Sequence, residues 1–216
     1  MRWPWVLGGL FCITIALVLI ALPWIGSGVG PWASPRADPH AISLPLPQLG
    51  SAPTFALTDR FDQPFGSSAL AGKIWVADFM FTTCPLICPT LSGHMAILQS
   101  RLENQDLQDD VRIVGFSIDP ETDTPEKLRA YGETYGSNPA IWKLLTGERA
   151  DIWSLCRDGF KLHVQDNPGN TDEPITHSGK FVLVDRHGVI REYYDGMDPT
   201  EVDRLAADIA ALVAEP

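Results

Sequence analysis

Hydrophobic and polar residues follow one another in blocks that predict an α/β domain. Two blocks, residues 74–81 and 111–118, are apolar almost throughout, as is typical of strands covered on both faces. Apolar residues at helical spacing predict a helix over 90–102. Thr124 followed by Pro125 indicates the start of a second helix. Shorter blocks predict strands at 55–58, 64–65, 141–145, 160–164, 180–185 and 189–194, and helices at 148–157 and 199–213. The order predicts a central mixed sheet flanked by helices.

The amino terminus has a different pattern. Residues 3–25 carry no charge, and most of them are apolar. About 20 apolar residues span a bilayer, whereas the apolar core of a signal peptide has roughly 7 to 15. We therefore expect residues 1–25 to form an uncleaved membrane anchor, with a cleaved signal sequence as the alternative. Residues 26–51 are rich in proline and glycine and predict a linker, and 52–216 form the folded domain.

Composition narrows the function. The formal net charge of −11 argues against nucleic acid, which selects basic surfaces. Four cysteines are too few for a disulfide scaffold. Cys12 lies within the apolar amino-terminal segment, where we interpret it as a membrane-buried residue. The chemistry therefore centres on the cysteines of the folded domain.

Cys84 and Cys88 lie on the predicted turn between the strand at 74–81 and the helix that follows. A spacing of four would bring both sulfurs to one face of a first helical turn. The positive end of the helix would lower both thiol pKa values and favour thiolates. Such a pair can form a disulfide, bind a soft metal or lie inert. Without a second pair, a four-cysteine zinc site is excluded.

The sequence has five histidines that could complete a site, and on pattern alone each is more typical of a solvated or structural residue. His177 just precedes the predicted strand 180–185. If that strand lay beside 74–81, His177 could approach the cysteine turn. His94 lies on the predicted helix and could point back to the cysteines only with difficulty. The others are His40, His163 and His187.

Three blocks together resemble the Sco/SenC family: residues 78–89, 117–125, and 176–185 with 194–196. The similarity runs from about residue 55 to the carboxyl terminus, and the amino-terminal segment also resembles the family's anchor. The resemblance implies a thioredoxin-like fold tethered to the inner membrane by a single pass, with the soluble domain on the periplasmic side. It also implies copper, as Cu(I) or Cu(II), bound by Cys84, Cys88 and His177.

Family members assist assembly of the dinuclear copper site of cytochrome c oxidase, and some are thought to reduce its thiols. The resemblance thus implies a metallochaperone rather than a turnover enzyme, with the copper-bearing oxidase subunit or another copper recipient as partner. Thiolates select Cu(I), and an added imidazole also suits Cu(II). The alternative is a thiol-disulfide oxidoreductase that acts through Cys84 and Cys88 and does not need His177.

Several further residues had open roles. Asp119 matches an acidic family position that would support the site or a partner, or it serves the turn beside Pro120. Cys156 departs from the family pattern, and we interpret it as a buried helix residue. The same core interpretation applies to three methionines, Met80, Met95 and Met197.

Overall fold

The computed structural model describes residues 45–170 and 173–215. Within these ranges, no helix has the length and apolarity needed to cross a membrane. The predicted anchor at 1–25, Cys12 and His40 lie outside the described residues. Leu46 is buried, and β1 (Gly50–Ser51) pairs with a strand of the main sheet. The last residues of the predicted linker are therefore packed on the domain, and the folded part begins before residue 52.

The described residues form ten strands and four α-helices. The strands are β1, β2 (Ala56–Asp59), β3 (Pro64–Gly66), β4 (Ile74–Met80), β5 (Val111–Ser117), β6 (Trp142–Thr146), β7 (Val164–Asp166), β8 (Ile175–His177), β9 (Lys180–Val184) and β10 (Val189–Asp195). The helices are α1 (Cys88–Asn104), α2 (Pro125–Thr134), α3 (Arg149–Ser154) and α4 (Pro199–Ala214). Short 3₁₀ and π-helical turns span Ser67–Leu70 and Leu155–Gly159.

Eight strands form one mixed sheet in the order β1-β10-β9-β4-β5-β6-β2-β3. β4, β5 and β6 are parallel, whereas β9 pairs with β4 in the antiparallel direction. β7 and β8 form a separate two-stranded sheet. The predicted mixed sheet flanked by helices is thus confirmed, and the arrangement is consistent with a thioredoxin-like fold.

The strand at the centre of the sheet, β4, is buried along its whole length, as its apolar sequence predicts. Trp75 and Phe79 point to one face, where they meet an aromatic cluster that includes Phe116 and Phe160. Asp78 lies on the opposite face, because successive strand residues alternate. That face is covered by α1, α2 and α4. The aromatic cluster on one face and the helices on the other hold β4 in place, and the cysteine loop begins at its end.

Some predicted boundaries were wrong for local reasons. The strand predicted at 160–164 begins only at Val164, because Phe160 and Leu162 close the π-helical turn through hydrogen bonds to Leu155 and Cys156 carbonyls. The helix predicted at 148–157 changes to that turn after Ser154. Strand β8, three residues long, had no prediction.

Candidate metal centre

The loop between β4 and α1 carries the two cysteines. Helix α1 begins at Cys88 itself, so Cys84 precedes the helix instead of sharing its first turn. The predicted strand-to-helix turn is confirmed, but the expectation that both sulfurs share a first helical turn was wrong, because only Cys88 belongs to the helix. Pro89 occupies the first helical turn, where a missing N–H costs nothing. The loop nevertheless folds back, since the Cys84 amide donates to the Phe81 carbonyl at 3.3 Å.

His177 reaches the same place from the other end of the chain. It ends β8, whose pairing with β7 places Val164 opposite His177. Strand β9 then runs beside β4, as the sequence argument required. The imidazole packs edge-on against Phe81, with ring centroids 5.8 Å apart. Its Nε2 lies 3.5 Å from the Cys88 Sγ.

These three residues form a compact donor group. The two sulfurs and one imidazole nitrogen of Cys84, Cys88 and His177 all lie within 4.8 Å of one another, and all three residues are buried. A metal with bonds of about 2.3 Å to sulfur holds its ligands at comparable separations. The described residues contain one such cluster of histidine, cysteine and acidic side chains. The donor set therefore fits a single soft or borderline metal ion.

The imidazole is oriented for binding. Its Nδ1 lies 3.1 Å from the carbonyl of Ser178, which can only accept, so Nδ1 carries the proton. In the neutral ring, Nε2 then keeps its lone pair and faces the sulfurs. Metal-binding histidines commonly use their second nitrogen in this way.

The pKa values of the two thiols are shifted in opposite directions. The Cys88 thiol acts as hydrogen-bond donor to the Cys84 sulfur, and with help from loop amides this lowers the pKa of Cys84. The same hydrogen bond is the largest cause that raises the pKa of Cys88, and burial of the thiol is the second. The expectation of two activated thiolates was wrong for Cys88, because two adjacent buried anions repel each other. The pair thus carries one negative charge and one proton.

Asp78, which sequence reasoning missed, lies behind this pair on β4. It is 1% exposed, and neither carboxylate oxygen has a hydrogen-bond partner among the described residues. Its neighbour in register on β5 is Gly115, which offers no side chain. Burial raises the pKa of Asp78 to about 6, and a protonated His177 ring would oppose the rise. A charged residue within an apolar strand was the signal that could have identified it.

Asp123 was also missed, and it secures the cysteine loop. It is fully buried and accepts hydrogen bonds from the Thr82 amide at 3.0 Å, from the Thr82 hydroxyl and from the Ser117 hydroxyl at 2.6 Å. Asp119, which the sequence favoured, uses its backbone carbonyl to accept from Thr122 and Asp123 amides. The geometry assigns Asp119 to the turn, and Asp123 ties β5 to the loop before Cys84.

The remaining predicted residues lie elsewhere. Cys156 is buried in the π-helical turn, with its Sγ 3.9 Å from two carbonyl oxygens, and Met80 and Met95 belong to the core. Met197 is 40% exposed, so its core assignment was wrong. It follows β10 in a tight turn that its amide closes on Asp195. None of the four belongs to the donor group.

Comparison with known proteins agrees with this class of site. The family model described as SCO1/SenC matches residues 47–214. The chain therefore belongs to the SCO1/SenC family. The SCO1 protein homolog of Bacillus subtilis is 34% identical over 142 residues, which cover 65% of this chain and 72% of the homolog.

Two solved structures extend the comparison. BsSco, described as a member of the Sco family of cytochrome c oxidase assembly proteins with a disulfide switch, has a TM-score of 0.69 and 30% identity, covering 78% of this chain and 97% of its own. ScoI of Bradyrhizobium japonicum with copper bound has a TM-score of 0.63 and 26% identity, covering 75% and 99%.

The Asp123 anchor gives a first prediction. Asp123→Asn should lower the free energy of unfolding by about 1–3 kcal/mol, because asparagine offers one acceptor oxygen to the three donors that face Asp123 and the charge-assisted hydrogen bonds are lost. Urea denaturation of the full chain measures the loss. Asp119→Asn, in the same loop, is the matched control and should change stability by less than about 0.5 kcal/mol. Equal effects of the two substitutions would contradict the assignment.

Asp78 gives a prediction about pH. Its pKa rises from 3.8 in the unfolded chain to about 6 in the fold, so the native state binds the extra proton between these values. Stability should therefore fall as pH rises from about 4 to about 6, by up to roughly 3 kcal/mol, and then level off. The measurement is the unfolding free energy of the wild type minus that of Asp78→Asn across this range. A difference in unfolding free energy that does not vary with pH would contradict the prediction. As a control, Asp119→Asn should keep the pH dependence of the wild type.

Proposed function

We propose that this chain binds one copper ion through Cys84, Cys88 and His177 and delivers it during assembly of the dinuclear copper site of cytochrome c oxidase. The observation that carries the proposal is that these three donors lie within 4.8 Å of one another, although Cys88 and His177 are 89 positions apart in the sequence. Copper is the cargo of this activity. The protein's contribution is to hold the ion and release it.

The donor set suits copper in both oxidation states. Two sulfur ligands favour Cu(I), and the imidazole provides the nitrogen that Cu(II) also accepts. Cys84 is already the thiolate, and Cys88 must lose its proton when a metal binds. His177 needs no proton transfer, because its Nε2 lone pair already faces the sulfurs. Binding therefore requires little rearrangement of this chain.

The position of the site favours transfer. Cys84 and His177 are 7% and 8% exposed, so they lie just beneath the surface. Between the cysteines, Pro85 and Leu86 project outward, and Leu86 is 52% exposed. A recipient's ligands could approach over these apolar side chains and take the metal by stepwise exchange. A site deep in the core would not permit this.

The comparisons support a recipient, and the amino-terminal sequence supports a location. BsSco and its family are described as cytochrome c oxidase assembly proteins, and ScoI binds copper, which supports the same role here. The copper-bearing oxidase subunit is then the partner, or another copper protein takes its place. The uncharged stretch at residues 3–25 supports a single-pass tether to the inner membrane, with the copper domain on the periplasmic side.

The asymmetric cysteine pair favours a second candidate function, thiol-disulfide exchange. A thiolate at Cys84 is the nucleophile that attacks a disulfide, and Cys88 lies near enough to resolve the mixed disulfide. The two cysteines would then form a disulfide with loss of two electrons and the one proton of Cys88, and the target's disulfide would gain these together with a second proton from solvent. In the assembly of a copper site, this reaction would keep the cysteine ligands of the recipient protein reduced.

Copper loading tests the proposal. The reduced full chain, loaded separately with Cu(I) and Cu(II), should bind one copper, and the Cu(II) form should show thiolate-to-copper charge-transfer bands. His177→Ala should abolish those bands and weaken Cu(II) by more than the roughly 10–100-fold that loss of a mere outer-shell partner costs. Stoichiometry and absorption titrations measure both effects.

The matched control is His187→Ala, at a hairpin turn where the backbone amide, not the ring, bonds Asp185. It should bind copper as the wild type does. A His177→Ala spectrum identical to that of the wild type would remove His177 from the ligand set. No stable copper, together with rapid disulfide exchange by Cys84 and Cys88, would reject copper delivery in favour of the second candidate.

A further inference from the structure

Two hydrogen bonds connect the loop of His177 to the helix that begins with Cys88. The Gly196 amide donates to the Gly179 carbonyl at 2.9 Å, two residues beyond His177. The Gly196 carbonyl in turn accepts from the Nδ1 of His94 at 2.6 Å, and His94 belongs to α1. Because a carbonyl can only accept, Nδ1 of His94 carries the proton. We call this series of residues, His94–Gly196–Gly179, the brace.

The brace adds a connection to α1 to the contacts that hold the chain just before and just after His177. Before the site, β8 pairs with β7, and just after it the Ser178 amide donates to the His163 carbonyl at 3.0 Å. These contacts connect His177 only to the short two-stranded sheet. The brace connects it to α1, whose first residue is Cys88. Besides the pairing of β9 with β4, it is therefore a second connection that sets the distance between imidazole and sulfur.

The middle of the brace has no room for a side chain. A Cβ at Gly196 would lie 2.5 Å from Leu91 Cδ2, 2.7 Å from the Gly179 carbonyl oxygen and 2.8 Å from Phe181 Cζ. The nearest backbone atom is the brace acceptor itself, so a methyl group would push the His177 loop away from α1. Neither the sequence pattern nor the resemblance drew attention to this close approach. His94 was expected to reach the cysteines only with difficulty, and it instead contacts the Gly196 carbonyl.

We propose that His94 is a positioning residue that, through Gly196, keeps the His177 imidazole at the cysteine pair and thereby makes the site retain Cu(II). The inference deepens the proposed function and rests on it. Two thiolates alone satisfy Cu(I), whereas Cu(II) depends on the nitrogen ligand. Loosening the brace frees the imidazole and leaves the sulfurs unchanged. The brace therefore affects one oxidation state more than the other.

The test compares Cu(I) and Cu(II) binding by the full chain, purified in detergent. His94→Ala should weaken Cu(II) by about 10–100-fold, as outer-shell changes do, and leave Cu(I) nearly unchanged. Its Cu(II) spectrum should shift toward that of His177→Ala. His94→Asn should restore much of the loss, because the asparagine amide nitrogen falls near the position of the imidazole Nδ1. Competition titrations with chelators of known affinity give both constants.

A second variant changes the middle residue of the brace, Gly196. Gly196→Ala should reproduce the selective loss of Cu(II), since its methyl group forces the loop outward. Gly93→Ala is the matched control, because it lies next to His94 on α1 and a Cβ there has no atom within 4 Å. In the copper-free protein, hydrogen exchange at the Gly196 amide should accelerate in His94→Ala and stay unchanged in Gly93→Ala. This measurement needs no metal.

The outcomes separate the two proposals. Unchanged Cu(II) binding and unchanged Gly196 exchange in His94→Ala would overturn the brace while leaving the copper site intact. Equal losses of Cu(I) and Cu(II) that follow a lower thermal stability would also overturn it, since they indicate a general structural role. A wild-type chain that binds no copper would instead overturn the proposed function, and with it the retention of Cu(II) assigned to His94.

Discussion

The antiparallel pairing of β9 with β4 is the contact on which the site depends. It places Val182 opposite Ala77 and Val184 opposite Trp75, so the chain that enters β9 passes the end of β4 where the cysteine loop begins. All these residues are buried, and a shift by one position would turn apolar side chains out of the core. The hydrophobic pattern of two strands thus fixes a distance between three polar donors. The metal centre is a consequence of core packing.

The architecture around the donors sets their chemical properties separately. Asp123 holds the loop before Cys84, the Ser178 carbonyl fixes the imidazole tautomer, and the Cys88 thiol stabilises the Cys84 anion. Each contact is local, yet each comes from a different element. Asp78 adds a buried carboxyl group with no hydrogen-bond partner in the part of the chain that the structure describes, which is costly for folding and is the kind of group that functional sites retain. The site is therefore only partly optimised for stability.

Sequence reasoning identified the elements with strong periodicity and the cysteine pair, the resemblance to the family added His177, and prediction was least successful where backbone geometry decides. The blocks at 74–81 and 111–118 are apolar throughout, so β4 and β5 could be predicted. Strand β8 is only three residues long and carries no such pattern. Asp123 was missed because burial and its three donors depend on tertiary contacts, whereas Asp119 in the same loop appeared equally suitable. Gly196 could not be recognised from spacing, since its importance lies in the atoms packed around it.

The shared proton of the cysteine pair has a consequence for the stoichiometry of metal uptake. At neutral pH, Cys84 already carries the charge and Cys88 the proton, while His177 offers an unprotonated nitrogen in its neutral form. An ion that binds all three donors therefore releases one proton to solvent instead of two. The metal exchanges for that proton one for one, and acidification opposes loading with the first power of proton concentration. Acidity thus acts on metal binding through a single buried thiol.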